Sequence, residues 1–260
     1  MEQPGYPKST LNAVTRYRNR GKYTYDDIYP IIDSAPILHV SFNDPTPGAE
    51  PYPHILPMLG CTGSHKQEES GERAIYLHGY ISSTFFRKTG DTAAGDASGG
   101  LKVCVSATLL DGLVLALTPN HHSCNYRSVI AYGDAYLVTD EAERFYAMQL
   151  ITDNVLPGRW ENTRIPPTSA ELTATGIIRV DVKSASAKVR TGTTGEDRND
   201  LKDAALRGRV WTGVIPSWTQ WGTPVPSPTN GMDVLPEYIR SWVQKTNKES
   251  ESYSYGASEK

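Results

Sequence analysis

The sequence predicts a mainly β protein whose antiparallel strands close into a barrel or a sandwich. Three observations carry this reading. Five short runs, "PILHVSFN", "PHILPML", "RAIYLHGY", "LKVCVSATLL" and "LVLALTP", are rich in aliphatic and β-branched residues and are separated by Gly, Pro, Asp and Asn. Two longer stretches, "YRSVIAYGDAYLV" and "GIIRVDVKSASAKV", continue the extended pattern. A single segment, "TDEAERFYAMQLITDNV", has clear helical character. So many strands crowded between tight turns pair antiparallel and close on themselves.

The elements follow in order. Residues 1–20 are polar with scattered basic side chains and read as a flexible arm. "YTYDDIYPIIDSA" opens on Thr24 and acidic residues, a helix start, but Pro30 removes a ladder donor, so a short or broken helix is expected. The five apolar runs come next. In "TLLDGLVLAL" the Asp111-Gly112 pair is the strongest hairpin signal of the chain. Gly133-Asp134 marks a bulge or bend within the following long strand.

The helix after it is capped by Thr139 or Asp140 and places Ala142, Phe145, Tyr146 and Met148 on or beside one face, an imperfect stripe because Gln149 interrupts it. In the next strand Thr175, Ile177, Arg179 and Asp181 alternate with Gly176, Ile178, Val180 and Val182. "GTTGEDRNDLKD" reads as a polar loop and "VWTGVIP" as a last short apolar run. The expected organisation is an arm at 1–20, one β domain at 21–216, an irregular arm at 217–245 and a disordered tail at 246–260.

Composition narrows the function. A net charge of −3 lacks the basic footprint of a nucleic-acid-binding protein. Cys61, Cys104 and Cys124 are far apart, which suggests neither a disulfide framework nor a zinc ribbon and fits a reducing compartment. No secretory h-region and no membrane-spanning run stands out, so a soluble, cytoplasmic protein without a membrane partner is expected.

Two clusters carry chemistry. In "AIYLHGYISSTFFRKTG" a strand ending at His78-Gly79 runs into Ser82, Ser83 and Thr84 and then a helical turn with Arg87 and Lys88. Hydroxyls and free N–H groups at a helix start, with cations one turn on, suit a phosphate; a capped helix with Arg87 and Lys88 facing water is the competing reading. In "HHSCNYRSVIAYG", His121 and His122 point to opposite faces of an extended chain, and His122 with Cys124 makes at most half a metal site, so no metal is expected. Arg127 among apolar neighbours requires an anionic or planar partner, either a carboxylate such as Asp134 or a ligand. His39, His54 and His78 lie singly in strands.

Taken together, "PYPHILPM", "IYLHGYISSTFFRKTG", "DGLVLA", "HHSCNYRSV", "PGRWENTR", "ELTATGIIRV" and "SAKVRTG" before "VWTGVIP" resemble the pyridoxamine 5'-phosphate oxidase-like superfamily, in its flavin-nucleotide-binding branch near the nitroimidazole-resistance (Nim) proteins. The resemblance spans residues 16–216 and implies a split β-barrel, paired into a homodimer, that binds FMN between subunits. It implies that Ser82, Ser83, Arg87 and Lys88 hold the FMN phosphate after the His78 strand, and that the strand from His54 through Leu56 to Met58 lies along the ring. It further implies that Tyr126, Arg127 and Ser128 close the site, and that Trp160 and Arg164 come over from the partner subunit. "HHSCNYRSV" then becomes the start of a pocket-lining strand aimed at a planar cofactor.

The implied activity is an FMN-dependent oxidoreduction of a small organic substrate, with His54, His78 and His122 as candidate acid–base groups. Two alternatives stay open: a haem-binding or haem-degrading protein with one of those histidines on the iron, and a non-catalytic flavin-binding protein. The chain departs from the pattern at Leu117-Thr118-Pro119-Asn120, at Cys124 and in the long loop "GCTGSHKQEESGER". These departures bear on the substrate rather than the fold.

Overall fold

The computed structural model describes residues 3–65, 71–95 and 99–259. In chain order the elements are β1 (Gly21–Lys22), α1 (Tyr25–Ser34), β2 (Leu38–Phe42), β3 (His54–Met58), β4 (Gly60–Gly63), β5 (Ala74–Tyr80), α2 (Thr84–Gly95), β6 (Leu101–Leu115) and β7 (Ser123–Leu137). They continue with α3 (Glu141–Val155), α4 (Ser169–Ala174), β8 (Thr175–Arg190), α5 (Ala204–Arg209), β9 (Gly213–Pro216) and α6 (Glu237–Ser258). The strand order is β3-β2-β6-β7-β8-β5-β4, with β1 on β8 and β9 on β6. The mainly β class read from the sequence holds.

Contacts divide the chain into two compact units, residues 1–108 with 128–188, and residues 109–127 with 189–260. In the first, β2 pairs antiparallel with β3 and β6, β4 with β5, and β5 with β8. Its core includes Leu38, Val40, Ile75, Leu77, Val105, Ile177 and Ile178, all essentially inaccessible to water. Leu38 and Val40 occupy alternate positions of β2, as the period-two pattern requires, whereas the adjacent Ile177 and Ile178 show that β8 is covered on both faces there.

Helix α1 is continuous through Pro30. Thr24 caps it by accepting from the Asp27 N–H, and Ile28, Tyr29, Ile31 and Ile32 are buried. A proline inside a helix costs about 3 kcal/mol, less than the burial of four large apolar side chains at about 1.5–3 kcal/mol each, so of the short or broken helix expected from sequence the short, unbroken one forms. Of the two caps proposed for α3, Asp140 is the one used, accepting from the Glu143 N–H at 2.8 Å. The N-terminal arm is also tied down. Tyr6 and Asn12 are buried, and the Asn12 amide donates to the Ala185 carbonyl at 3.0 Å.

In the second unit the expected hairpin at Asp111-Gly112 does not exist, because β6 runs straight through it. Gly112 lies opposite Pro216 of β9, and a Cβ there would come within 3.0 Å of the Ile215 carbonyl oxygen. The glycine answers a close approach by another strand rather than a turn.

The irregular arm and disordered tail are replaced over residues 237–258 by the single helix α6. It engages through small residues: Ser254 and Ala257 are buried, Ser254 Oγ donates to the Ser217 carbonyl at 2.7 Å, and the Ala257 carbonyl accepts from Gly192 N at 2.7 Å. Trp218 packs on Tyr255 and Trp221 on Trp242. No helix of the described residues is long and apolar enough to cross a membrane.

Candidate functional site

The first unit gathers several of the residues singled out above. Strand β5 carries His78 and Gly79 and passes from Tyr80 into the turn before α2; Ser82 and Ser83 of that turn and Thr84, the first residue of α2, are exposed. Phe85 and Phe86, the next two, are buried and anchor the helix. Phe86 rests on two glycines that face each other across β5 and β8, Gly79 and Gly176. A Cβ at Gly176 would lie 2.3 Å from the ring and one at Gly79 2.8 Å from it. Only hydrogen side chains let the ring seat directly on the backbone.

Phe85 in turn contacts Phe42 of β2 at 4.9 Å, and Phe42 also stacks on the His54 ring at 5.0 Å. The Met58 methyl lies 3.7 Å from the Cβ position of Gly79. Thus β3 and the start of α2 meet over one aromatic column.

Strand β3 is unusually open. His54, Ile55 and Pro57 are exposed and Leu56 and Met58 half-buried, so an apolar edge with free backbone lies beside exposed hydroxyls. Arg87 is exposed on the first turn of α2, its Nη2 reaching Thr84 Oγ1 at 3.5 Å. Lys88 differs from expectation. It pairs with Asp44 at 3.1 Å and donates to Thr46 Oγ1; hydrogen bonds from the Thr46 side chain and N–H, and after them the Lys88 ammonium, hold the Asp44 carboxyl down at about 2. The cation available to an anion is therefore Arg87, with Lys88 bracing the loop after β2.

The histidines divide by environment. His78 Nδ1 is buried without a hydrogen-bond partner among the described residues, and burial lowers its pKa, which keeps the imidazole neutral near pH 7. His54 is exposed. His122, in the second unit, is committed: its Nδ1 accepts from the Ala116 N–H at 2.9 Å, which places the ring proton on Nε2. Among the described residues no group of three or more metal-ligating side chains exists.

Arg127 also belongs to the second unit, and its partner is neither Asp134 nor open space. Asp111, 1% exposed, accepts from its Nη2 at 2.7 Å and its Nε at 3.1 Å, while the Tyr253 ring of α6 covers the guanidinium at 3.7 Å. Asp134 pairs instead with Lys102 at 2.5 Å. Tyr126 is half-buried beside Arg127, and Ser128, in the first unit, donates to the Lys188 carbonyl.

Trp160 and Arg164, expected to reach a partner subunit, are held by their own chain. Trp160 meets Phe145 edge-on at 5.2 Å, and Arg164 grips Glu171 at 2.5 and 2.6 Å, depressing that carboxyl to about 2. Residues 66–70 of the long loop after β4 lie outside the described residues.

One cluster escaped the sequence reading. Tyr76 Oη donates to Glu143 at 2.8 Å, and Arg179 bridges Glu143 at 3.1 Å and Asp181 at 2.8 Å. Its signal was present: Arg179, Asp181 and Lys183 recur at period two on β8, opposite the apolar face of Ile178, Val180 and Val182.

Known proteins place this architecture. Residues 24–189 match the family model for pyridoxamine 5'-phosphate oxidase. The flavocytochrome Anf3 from Azotobacter vinelandii is 31% identical over 93% of this chain and 98% of its own, with a TM-score of 0.72. The FAD and heme binding protein from Mycobacterium smegmatis is 25% identical over 85% of this chain and 96% of its own, with a TM-score of 0.68. A candidate 5-nitroimidazole antibiotic resistance protein from Bacteroides thetaiotaomicron is 17% identical over 64% of this chain and 83% of its own, with a TM-score of 0.47. No curated protein matches the sequence. The fold is the split β-barrel that the motifs implied, and the chain belongs to the pyridoxamine 5'-phosphate oxidase family.

Proposed function

We propose that this protein is a redox protein that binds a flavin nucleotide, and haem with it. The observation that carries the flavin is the start of α2: exposed Ser82, Ser83 and Thr84 with Arg87 on the same turn, set beside the open apolar edge of β3. Backbone N–H groups, hydroxyls and a guanidinium at a helix N-terminus are the donor set of a phosphate. The exposed run Ile55, Leu56 and Pro57, with its edge-strand N–H and C=O groups, suits one face and one rim of a planar ring. In this reading Ser82, Ser83 and Arg87 hold the phosphate and His54 to Met58 line the ring. FMN satisfies that donor set, and FAD, named for the mycobacterial relative, shares its phosphate and ring. A bound flavin supplies one- and two-electron chemistry; the protein orients it and tunes it through nearby donors.

Haem is favoured by the two relatives at 25% identity and above, one named a flavocytochrome and the other for FAD and heme. The residues present fit an axial ligand at two positions. His78 is neutral with a buried Nδ1 that lacks a partner among the described residues, and His54 is exposed at the edge of β3. His122 is disfavoured as a ligand because its Nε2 carries the ring proton. Flavin and haem, which the sequence offered as alternatives, thus become companions. A homodimer that supplies the other wall of the flavin site, and turnover of a small organic substrate, belong to the same proposal.

The absorption spectrum of the purified protein tests it. A flavin doublet together with an intense Soret band is the expected result. A spectrum with neither overturns the reading, and a flavin doublet alone reduces it to the simple flavoprotein. Replacing His54 or His78 by Ala identifies the iron ligand by loss of the Soret band with flavin retained.

A further inference from the structure

We propose a second small-molecule site in the first unit, a pocket for a small zwitterion of the amino acid class. The cavity has a volume of about 290 Å³, and its walls include His65, Glu72, Arg73, Glu143, Arg179, Asp181 and Lys183. It adjoins Ala74 and Tyr76, at the opposite end of β5 from His78 and the turn into α2, so it is separate from the proposed flavin site. At this size it lies near the lower bound of ligand pockets, about 300 Å³, and admits a small molecule rather than a nucleotide.

Its interior is already settled. Glu143 is buried and receives Tyr76 Oη and Arg179, and Arg179 also binds Asp181. That network fixes the floor and leaves the rim to bind. Lys183 is exposed with no ion-pair partner among the described residues, and Arg73 reaches Asp33 only at 3.8 Å. His65, packed on Tyr146 at 5.3 Å, has its Nδ1 buried without a partner among the described residues. Buried nitrogens of this kind normally find a partner in protein, water or ligand.

Unused hydrogen-bonding capacity on the cationic side calls for a carboxylate. The charge balance limits what else the ligand is. Among the described residues Arg73, Arg179 and Lys183 face Glu72, Glu143 and Asp181, three cations against three carboxylates, so a bare anion would add negative charge to a balanced set. A molecule with both a carboxylate and an ammonium keeps it neutral. The carboxylate meets Arg73 and Lys183, and the ammonium meets the outer carboxylates of Asp181 and Glu72.

The test is a thermal-shift panel of the twenty amino acids on the full chain, followed by calorimetry with the strongest, and with acetate and ethylammonium as one-ended probes. At least one amino acid should bind more tightly than either one-ended probe. Lys183→Met should weaken it by about tenfold, the worth of one charge-assisted hydrogen bond. Lys248→Met, at an exposed position on α6, should leave it unchanged. A panel with no binder, acetate binding as tightly as the amino acid, or affinity unaffected by Lys183→Met would each overturn the proposal. Binding that is lost with Ser83→Ala and Arg87→Gln instead would place the ligand at α2 and overturn it equally.

Discussion

The sequence pointed to two arginines, Arg87 and Arg127, as anion-seeking groups, and the structure treats them in opposite ways. Arg87 stands exposed on the first turn of α2 beside exposed hydroxyls. Arg127 is closed on two sides, by the Asp111 carboxylate and by the face of Tyr253. An isolated guanidinium in a sequence announces a need for a partner but not its source. Arg127 finds its partners in segments 16 residues upstream and more than a hundred downstream, whereas the only described side-chain contact of Arg87 is the weak one to Thr84. One is architecture and the other is available for binding.

Substitutions separate the two roles. Arg127→Leu carries the largest expected effect, because it leaves the buried Asp111 charge without its partner. A loss of about 3–5 kcal/mol is expected by urea unfolding, with flavin content per folded molecule unchanged. Flavin loss without destabilisation would place Arg127 in the binding site after all. Gly176→Ala comes next. Its methyl would enter the Phe86 ring, an overpacking worth about 1–3 kcal/mol, and here flavin retention should fall too, since Phe86 anchors the start of α2. Tyr253→Leu removes only the stacked face of Arg127 and should cost about 1 kcal/mol by the same measurement. Arg87→Ala with Ser83→Ala should leave the unfolding midpoint within about 0.5 kcal/mol, as exposed changes do, while weakening flavin binding about tenfold in a fluorescence titration.

A pH dependence sharpens the picture for the first unit. Burial raises the Asp33 carboxyl, against the opposing hydrogen bonds from Thr62 and the pull of Arg73. A carboxyl raised in the folded state binds protons more tightly there than in the unfolded chain. Its contribution is fully favourable below the ordinary carboxylate pKa and is lost as the pH rises through the raised folded value. Asp33→Asn should therefore flatten the stability profile across that window, as read from urea midpoints between about pH 3.5 and about pH 7. An unchanged profile would show that the hydrogen bonds from Thr62 cancel the burial.

Much of the fold was legible because its causes are local. The run at 38–42 alternates as a half-buried strand must, those at 74–80 and 175–190 carry the aliphatic residues of strands buried on both faces over part of their length, and Asp140 caps α3 three residues before Glu143, as cap geometry dictates. The failures have non-local causes. Asp111-Gly112 carries the chemistry of a turn but serves a buried ion pair and a close strand approach. Helix α6 was illegible because it packs through Ser254 and Ala257, which leave no hydrophobic stripe. At Pro30 the sequence left a short or a broken helix open, and four buried neighbours decide for the short one. At the site, the hydroxyl-rich turn was visible as a pattern, but the capture of Lys88 by Asp44 depends on a loop forty-four residues earlier.

The glycine pair beneath Phe86 has a kinetic consequence. With no side chain interposed, the Phe86 ring seats directly on two paired strands, which ties the first turn of α2 to the sheet. A receptor surface set in advance has no loop to freeze when its ligand arrives, which removes a common entropic toll on association. Cofactor capture should then proceed at the rate of productive collisions, in a single phase whose observed rate grows linearly with flavin concentration.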